Sequence, residues 1–412
     1  MRIKSIVSIV LIVLVVGHIH SAVIEVNSTG GGLGTSELCS LRAAIRAAEM
    51  DAPFSACNAG SGDDVIILPN EGNFVFNQVD NNSIGDNALP SVFSRITIEG
   101  IDSTLTKSSS SAMMRFFSVG FNASTNESGH LTLNNMTLKG GDIDGSGGAI
   151  SNRGILNLSH VRMEANHASF EGGALSCSGS NSECNIVSST LIENSADYAG
   201  AIIVNNNSTL TLEKSAILNN QATISNGAVD VGSVYVESGL ALISNSTIAG
   251  NHANRYGGLF ARRDALPFSS PGRIELTYST VVNNSPIGLV GNIEVKNSII
   301  SNNTDGNCRK FTTVNSEGYN HSDDDTCVFD SVGDVSGLAI SLEPLLQMNE
   351  YIQFYPLAYP SPAIDTADPI DCIKTDQIGT NRPLDGDNDG LAFCDKGAHE
   401  MINLIIFING FE

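Results

Sequence analysis

Seven segments in the middle of the chain repeat one pattern, and this repetition limits the fold more than any other feature. Each segment starts with alternating apolar residues and, in all but the first, reaches an asparagine ten positions later. The starts are Leu131, Leu156, Cys184, Leu210, Ala241, Ile274 and Ile293. The residues ten positions on are Gly141, Asn166, Asn194, Asn220, Asn251, Asn284 and Asn303. Alternation in short runs, with Asn and Gly between them, indicates strands and turns.

The spacing of the segments indicates how these strands stack. Successive starts lie 19 to 33 residues apart, and a variable length around a fixed pattern is typical of a solenoid whose insertions become loops. No proline occurs between Pro90 and Pro267, as expected for uninterrupted strand ladders. The sequence therefore predicts an all-β fold: a right-handed parallel β-helix (solenoid) with a short N-terminal capping helix and a loop-rich C-terminal cap.

The repeated asparagine and a second, glycine-containing motif have two interpretations each. Asparagine tolerates the left-handed backbone of a turn, and stacked asparagines can hydrogen-bond from coil to coil; the alternative is a row of ligand-binding amides. The glycine motif predicts a tight bend where coils approach closely, and it lacks the sequence context of a phosphate loop. Its copies are Gly147–Ile150, Gly172–Leu175, Ala199–Ile202, Asn226–Val229 and Gly257–Phe260.

The first coil needs a cap, because an open coil exposes unpaired strand edges. The segment Ser40–Glu49 predicts a short amphipathic helix for this role, with Ser40 as its N-cap. The residues on its apolar face are Leu41, Ala44, Ile45 and Ala48.

The N-terminus and the charge predict an exported protein. Residues 1–22 read as a signal peptide, because Arg2 and Lys4 precede an apolar run over 6–16 that is too short to span a bilayer. No later segment approaches that length, so we expect no membrane span. The formal net charge of −23 makes nucleic acid and anionic lipid poor partners.

The eight cysteines predict disulfides, as an even number does in an exported chain. They fall into four neighbouring couples, and no couple has a histidine at zinc-ligand spacing. The expected bridges are Cys39–Cys57, Cys177–Cys184, Cys308–Cys327 and Cys372–Cys394.

Three parts of the sequence resemble known modules of secreted bacterial proteins. The segments Cys39–Ile45 and Asp64–Pro69 resemble the CSLREA N-terminal domain, with Ala43 where that motif has Glu. Ser361–Asp365, followed by Asn381–Pro383 and Cys394–Ala398, resembles the choice-of-anchor Q module. The repeats are similar to the polymorphic outer-membrane protein repeats of autotransporter adhesins. These resemblances imply an extracellular right-handed β-helix, often used in surface attachment, and they imply no particular enzymatic activity.

Together these features divide the chain into five parts. Residues 1–22 form the signal peptide, 23–100 the CSLREA-like N-terminal cap and first coils, and 101–320 the β-helix repeats. Residues 321–402 form the choice-of-anchor Q-like C-terminal cap. The tail over 403–412 is interpreted either as a sorting tag or as a last edge strand.

The chain contains many acidic residues but no complete catalytic motif. The chain contains no HExxH, no GxSxG and no Asp-Pro-His-Asp. Several carboxylates fall between the asparagine and glycine positions, where they would share one edge of the solenoid and either form a glycosidase pair or solubilise the loops. They are Asp142, Asp144, Glu171, Asp197 and Asp230.

The segment Asp385–Gly390 matches the start of a calcium-binding loop. Its oxygen ligands Asp385, Asp387 and Asp389 stand at positions 1, 3 and 5, with Gly390 at position 6. Position 12 is a lysine rather than the usual glutamate, so Asp395 is the candidate for completing the site. The alternative is an ordinary acidic turn.

These features lead to one functional hypothesis and one rival. The protein is predicted to be a secreted or cell-surface scaffold, with the periplasm as another location, that is non-catalytic and serves surface interaction or adhesion. Its partner would be a cell-surface protein or a glycan, with calcium as its one candidate cofactor; the sequence leaves the oligomeric state open. The rival is a carbohydrate-active enzyme, either a polysaccharide lyase or a glycoside hydrolase, acting on the β-helix face.

Overall fold

The computed structural model describes residues 21–122, 127–232, 239–262, 271–310 and 314–402. The predicted signal peptide, apart from its last two residues, and the predicted tail over 403–412 therefore lie outside the described residues. Within the described ranges the chain forms one helix and 35 strands.

The elements before and within the first repeat lead into the stack. They are β1 (Val23–Glu25), α1 (Leu41–Met50), β2 (Asp63–Ile67), β3 (Asn73–Phe76), β4 (Arg95–Lys107), β5 (Phe117–Val119), β6 (Phe121–Asn122), β7 (Glu127–Ser128), β8 (His130–Lys139), β9 (Asp142–Ile143) and β10 (Ile150–Asn152).

Short strands then follow one another through the remaining repeats. They are β11 (Ile155–Glu164), β12 (His167–Glu171), β13 (Leu175–Cys177), β14 (Glu183–Val187), β15 (Thr190–Ile192), β16 (Ser195–Tyr198), β17 (Ile202–Val204), β18 (Thr209–Glu213), β19 (Ala216–Leu218), β20 (Gln221–Ser225), β21 (Val229–Val231), β22 (Leu240–Ser244), β23 (Thr247–Ala249), β24 (His252–Ala253), β25 (Leu259–Ala261), β26 (Arg273–Thr277), β27 (Thr280–Val282), β28 (Leu289–Gly291), β29 (Ile293–Lys296) and β30 (Ile299–Ser301). The last strands are β31 (Val314–Ser316), β32 (His321–Ser322), β33 (Val335–Ser336), β34 (Leu346–Gln347) and β35 (Gln353–Phe354).

The seven repeat starts lie side by side in one parallel ladder. Leu156 pairs with Leu131 on one side and with Cys184 on the other. The ladder continues, always in parallel, through Leu210, Ala241, Ile274 and Ile293. The register predicted from the sequence is therefore confirmed. The protein is nearly all β, with long stacked parallel sheets that are consistent with a parallel β-solenoid.

Three parallel sheets surround a continuous apolar interior. The largest runs the length of the stack, a second contains β5, β10, β13, β17, β21, β25 and β28, and a third contains β9, β12, β16, β20 and β24. Inward-facing side chains such as Leu210, Leu212 and Ile217 are fully buried in one cluster with their counterparts in other coils. The alternation in each strand therefore selects which side chains form the core.

The backbone bends at two fixed positions in every repeat. The residue four positions after each start has a positive φ, as does the residue just before each ladder position. The first set is Asn135, His160, Ser188, Lys214, Asn245, Tyr278 and Asn297, and the second is Gly140, Ala165, Glu193, Asn219, Gly250, Asn283 and Asn302. The left-handed residue is thus the one before the repeated asparagine. The part of the prediction that gave the asparagine itself this turn geometry was wrong.

The repeated asparagines form the predicted ladder. The side-chain amide of Asn220 donates to Asn251 Oδ1 at 2.9 Å and to the carbonyl of Leu191 at 3.0 Å. Its oxygen accepts from the backbone N–H and the side-chain amide of Asn194, each at 2.9 Å. The same bonds link Asn166 to Asn194, Asn251 to Asn284 and Asn284 to Asn303. These amides are buried and paired with one another, so the ladder is structural rather than a ligand-binding row.

A second ladder, of serines, was not predicted. The backbone N–H of Ser215 donates to Ser246 Oγ at 3.1 Å, and Ser215 Oγ donates to the carbonyl of Glu213. Each serine stands five positions after a repeat start, directly after the left-handed bend. The series is Ser189, Ser215, Ser246, Ser279 and Ser298, and all five are fully buried.

The glycine motif marks a close approach between coils, as predicted. A Cβ atom on Gly148 would lie 2.1 Å from the carbonyl oxygen of Gly173, and one on Gly173 would lie 2.3 Å from that of Gly200. Contacts this short exclude any side chain, so the glycine permits the coils to stack.

Helix α1 covers the first coils as the sequence indicated. Ser40 is its N-cap, and Ser40 Oγ accepts from the N–H of Ala43. The guanidinium of Arg42 is buried and donates to the carbonyls of Ala88 and Gln78. Arg42 therefore joins the helix to the loop between β3 and β4.

The C-terminal region occupies a different place from the predicted end cap. The last parallel pairing of the stack joins β32 to β33, so residues 321–336 close its end. The chain then turns back along the side of the stack. We call residues 341–401 the C-terminal strap.

Contacts of the strap reach most of the coils. The carbonyl of Tyr351 accepts from Thr190 Oγ1, and its hydroxyl donates to Asp102 in the first coils. Gln377 accepts from Thr247 Oγ1 at 2.6 Å. Apolar strap residues Leu342, Leu345 and Tyr355 pack on a row of outward-facing residues consisting of Ile192, Ala216, Leu218, Ala249 and Val282. An outer face of the stack that is apolar must be covered, and the strap covers it.

Four cysteine couples are bonded in the structure as predicted: Cys39–Cys57, Cys177–Cys184, Cys308–Cys327 and Cys372–Cys394. Each joins residues close in sequence, as contacts between neighbouring coils require. Among the described residues, no helix is long and apolar enough to cross a membrane.

Candidate attachment edge

Two β-bulges push apolar side chains out of the five-stranded sheet. The pairing of β12 with β16 shifts between Ala168 and Glu171, and the pairing of β16 with β20 shifts again before Ser225. Each shift leaves one extra residue, and a bulge of this kind redirects a side chain. The extra residues include Phe170 and Ile224, whose side chains are both 40% exposed.

An aromatic ring in the intervening coil supports the first of these side chains. The rings of Phe170 and Tyr198 meet edge to face, with centroids 5.7 Å apart. Two coils further, Tyr256 stacks on Phe260 at 5.5 Å, and the guanidinium of Arg309 lies over Tyr256. Apolar and aromatic groups therefore follow one another along the stack from the second to the fifth repeat.

A row of hydrogen-bonding side chains runs beside these groups. Ser169 Oγ donates to Asp144 Oδ1 at 2.7 Å, and Thr223 Oγ1 donates to Asp197 Oδ1. Each member of the row directly follows a residue that is paired in register with its counterpart in a neighbouring coil. The members therefore come from successive coils. They are Asp144, Ser169, Asp197, Thr223 and Asn254. We call this row, together with Phe170 and Ile224, the bulge edge.

Asp230 lies in the adjacent seven-stranded sheet and is almost completely buried. Its neighbours in register are Ile203 and Phe260, so apolar groups flank the carboxyl on both sides. Asn226 donates to Asp230 Oδ2, while Oδ1 is buried without a hydrogen-bond partner. Burial, with a smaller effect from the Glu171 carboxylate, raises the pKa of Asp230 to about 8. Asp230 is thus largely a neutral acid at pH 7.

The five acidic residues predicted to share one edge are divided between two sheets. Asp144 and Asp197 lie in the row of the bulge edge. Asp142 lies two residues before Asp144, the first member of that row, and forms an ion pair with Lys107 at 3.6 Å. Glu171 and Asp230 are buried at the side of the edge. The structure therefore brings Glu171 and Asp230 into electrostatic contact but separates them from the exposed carboxylates.

The predicted calcium loop gains a carboxylate that the sequence did not identify. Carboxylate oxygens of Asp365, Asp385 and Asp387 lie within 4.8 Å of one another. Asp365 accepts the backbone N–H groups of Gly386 and Phe393, which holds the loop against it. Burial raises the pKa of Asp365. Three oxygens at this spacing suit a hard cation such as calcium, and the calcium site remains a prediction.

The other two predicted ligands are placed differently. Asp389 Oδ1 accepts from the N–H of Leu391 and lies outside the cluster of three carboxylates. Asp395 is buried, and its two oxygens accept the backbone N–H groups of Asp365 and Met401. The proposal that Asp395 completes the calcium site is therefore not supported, because its oxygens bind the strap backbone instead.

The sequence carries a signal for the bulges in the distance between the ladder asparagine and the glycine motif. In the two repeats with a bulge, the close-contact glycine stands seven positions after the ladder asparagine. In two repeats without a bulge, it stands six positions after it. The longer pairs are Asn166–Gly173 and Asn220–Gly227, and the shorter ones are Asn194–Gly200 and Asn251–Gly257. One extra residue in a strand of fixed register has to bulge outward.

Comparison with known proteins gives no relative for this chain. No protein-family model, no curated protein and no solved structure matches it. The resemblances to the CSLREA, choice-of-anchor Q and polymorphic outer-membrane protein modules remain predictions.

Proposed function

We propose that the protein is exported and serves as a rigid attachment scaffold, with the bulge edge as its contact surface for a cell-surface protein or glycan. The observation that carries this proposal is the exposure of Phe170 and Ile224 at equivalent bulges. Each is an apolar side chain exposed beside hydrogen-bonding groups, the composition of a binding surface rather than of a solvated loop.

Rigidity supports an attachment role, because a preordered surface loses little entropy on binding. The asparagine and serine ladders hold successive coils in register. The strap contacts residues from Asp102 to Asn297 and so fastens the coils to one another. The scaffold winds, in this proposal, as a right-handed parallel β-helix, the hand that parallel strand crossovers take in about 98% of cases.

Export is supported by the four cysteine couples. Disulfides persist in oxidising compartments and are rare in the cytosol. Each bridge closes a loop of 7 to 22 residues in sequence. Secretion or display at the cell surface, or in the periplasm, provides the conditions under which all four would form.

A retention assay tests the attachment proposal. Protein lacking residues 1–22 is coupled to beads, and its retention of intact cells and of isolated cell-wall fractions is measured. We expect retention that falls in a Phe170→Ala/Ile224→Ala variant and stays unchanged in Phe121→Ala, which removes an exposed aromatic from the β6–β7 hairpin. Retention no greater than that of an unrelated acidic protein would contradict the proposal.

A carbohydrate-active enzyme is the second candidate, favoured by Asp230. A buried carboxyl that is largely protonated at neutral pH has the property needed of a general acid, and Glu171 supplies a nearby carboxylate. Screening polysaccharides for new reducing ends and for the absorbance of unsaturated uronates tests this role. Turnover that disappears in Asp230→Asn, while the variant keeps its fold, would favour the enzyme; absence of turnover would leave the scaffold.

A further inference from the structure

The two exposed apolar residues of the bulge edge recur with a defined spacing. Phe170 belongs to the second repeat and Ile224 to the fourth, at equivalent bulges. Neighbouring parallel strands are about 4.8 Å apart, so positions two coils apart are separated by about 9.5 Å along the stack. The two bulges therefore present Phe170 and Ile224 as two apolar platforms about two coils apart, with the ring of Tyr198 in the intervening coil packed against Phe170.

Polar groups accompany the platforms at half that interval. Every coil from the first to the fifth repeat contributes one side chain to the row that begins with Asp144 and ends with Asn254. Hydroxyl groups of the row hold one oxygen each of Asp144 and Asp197 in place. These carboxylates are thus positioned to accept further hydrogen bonds from a ligand in front of them.

An extended β-1,4-linked glycan has a matching alternation. Each sugar ring has an apolar C–H face and a rim of hydroxyls, and successive rings in such a chain are turned over. The same face therefore recurs at every second sugar, whereas hydroxyls are presented by every sugar. A chain lying along the stack would place an apolar face on Phe170 and the next equivalent face on Ile224, with its hydroxyls directed at the polar row.

The charge of the edge restricts the kind of glycan. Asp144 and Asp197 are part of the row itself, and Glu171 is buried beside it. The guanidinium groups of Arg255, next to Asn254, and of Arg309, over Tyr256, belong to the far end of the row. A polyuronate carries a carboxylate on each sugar and would meet this acidic edge with repulsion, whereas a neutral chain would not.

From this juxtaposition we infer that the bulge edge binds a neutral, extended β-1,4-linked polysaccharide parallel to the stack axis, with Phe170 and Ile224 beneath alternate sugars. The inference rests on the proposed attachment function and specifies its ligand. Tyr198 is a positioning residue here, because its ring contacts that of Phe170 and fixes the first platform.

Calorimetry with defined oligosaccharides tests the inference. The probes are cellohexaose, xylohexaose and chitohexaose, with maltohexaose and hexagalacturonate as comparisons of equal length. We expect at least one neutral β-1,4-linked hexamer to bind and the two comparisons to bind at least tenfold more weakly. Affinity for the bound series should rise most between the dimer and the tetramer, because only a chain longer than two sugars reaches both platforms.

Substitutions at the bulge edge test whether the oligosaccharide binds there. Phe170→Ala and Ile224→Ala should each weaken binding roughly tenfold, as truncation of an interface anchor does, and the double variant should show no binding. Phe121→Ala is the matched control and should bind as the wild type does. Circular dichroism and thermal melts of each variant check that the exposed substitutions leave the fold intact.

The outcomes separate this inference from the proposed function. Equal affinity of the double variant and the wild type, or a preference for hexagalacturonate, would overturn the inference. Retention of cells by a protein that binds none of the neutral hexamers would also overturn it while leaving attachment as the function. Failure of both the retention assay and calorimetry would remove the function together with its ligand.

Discussion

Each inner ladder asparagine holds its neighbouring coils through four hydrogen bonds in a fully buried position. Asn220 donates to Asn251 and to the carbonyl of Leu191, and it accepts twice from Asn194. A buried donor or acceptor that loses its partner cannot form a hydrogen bond with water instead. Removing the partner therefore costs more than the net contribution of the hydrogen bond to stability. Stability at this scale therefore depends on complete pairing in every coil.

Replacing one ladder residue should destabilise the whole stack. Asn220→Ala leaves the buried backbone N–H of Asn194 without its acceptor and removes one hydrogen bond each from Asn251 Oδ1 and the carbonyl of Leu191. We expect the free energy of unfolding to fall by about 3 kcal/mol. Asn185→Ala is the matched control, because the Asn185 side chain lies on the outer face and, within the described part of the chain, bonds to Asn157 alone; its effect should be about 0.5 kcal/mol. Chemical denaturation compares the two, and equal losses would contradict a structural role for the ladder.

The buried Asp230 predicts a dependence of stability on pH. Burial raises its pKa in the folded protein to about 8 from the ordinary value of 3.8, so the unfolded chain releases this proton at lower pH than the folded protein does. The contribution of this proton binding to the stability of the folded protein is fully present below about pH 4. It declines as pH rises and is lost above about pH 8.

Asp230→Asn should remove this contribution while keeping the contact with Asn226. The melting temperature of the variant, relative to the wild type, should rise progressively from pH 4 to pH 8 and then level off. Thermal melts of both proteins over pH 4–9 measure the difference, in which ionisable groups common to the two cancel. A difference that does not change with pH would contradict the raised pKa.

Among the elements, the loop Asp385–Gly390 combines local sequence with a distant residue. Its own aspartates supply two of the clustered carboxylates, and Asp365 of the strap supplies the third. Three negative groups so close together repel one another unless a cation or water screens them. The disulfide Cys372–Cys394 flanks the three carboxylates and restricts how far they can move apart.

Calcium should stabilise this loop. The cluster lacks a twelfth-position glutamate, so we expect weak binding, with a Kd of about 10⁻⁴ to 10⁻³ M. A hundredfold excess of calcium over Kd would stabilise the folded state by about 2.7 kcal/mol. Melts with calcium and with chelator should differ in the wild type and in Asp389→Asn, whose side chain lies outside the cluster. The two melts should coincide in Asp387→Asn. If they also coincide in the wild type, the loop is an ordinary acidic turn and not a calcium site.

Across the whole molecule, the strap joins residues that are far apart in the chain. Gln377 is buried and donates to the carbonyls of Ser215 and Gln353, while it accepts from Thr247. One side chain thus connects two coils with another part of the strap. In a simple solenoid each coil contacts only the neighbouring coils. The strap adds contacts that fasten the stack along its length.

Loosening this connection should expose the strap before the coils. Gln377→Ala removes three hydrogen bonds from a buried position, and we expect a loss of about 2–3 kcal/mol with faster proteolysis within residues 341–401. Gln347→Ala, at an exposed position in β34, is the matched control and should behave as the wild type does. Cleavage that begins in the repeats instead would show that the strap does not hold them.

Local patterns in the sequence determined the coils, their register and the cysteine couples. Alternation with period two decides which face of a strand is buried, and a one-residue slip would expose the whole apolar set, so Leu156 can only pair with Leu131 and Cys184 as it does. The cysteine couples follow for the same reason, since residues close in sequence meet in neighbouring coils. The capping helix with its Ser40 N-cap is equally local.

Only the tertiary structure decided where the strap lies, which side chains the bulges expose and which carboxylates meet at the calcium loop. The strap covers Ile192, Leu218 and Val282 because they form an apolar row only after the coils have stacked. Asp365 reaches Asp385 through folding of the strap on itself, and Asp395 is drawn away by two backbone N–H groups. These contacts depend on shape and on pairing between distant segments, whereas the alternation in each strand depends only on its own residues and on the exclusion of water from one face.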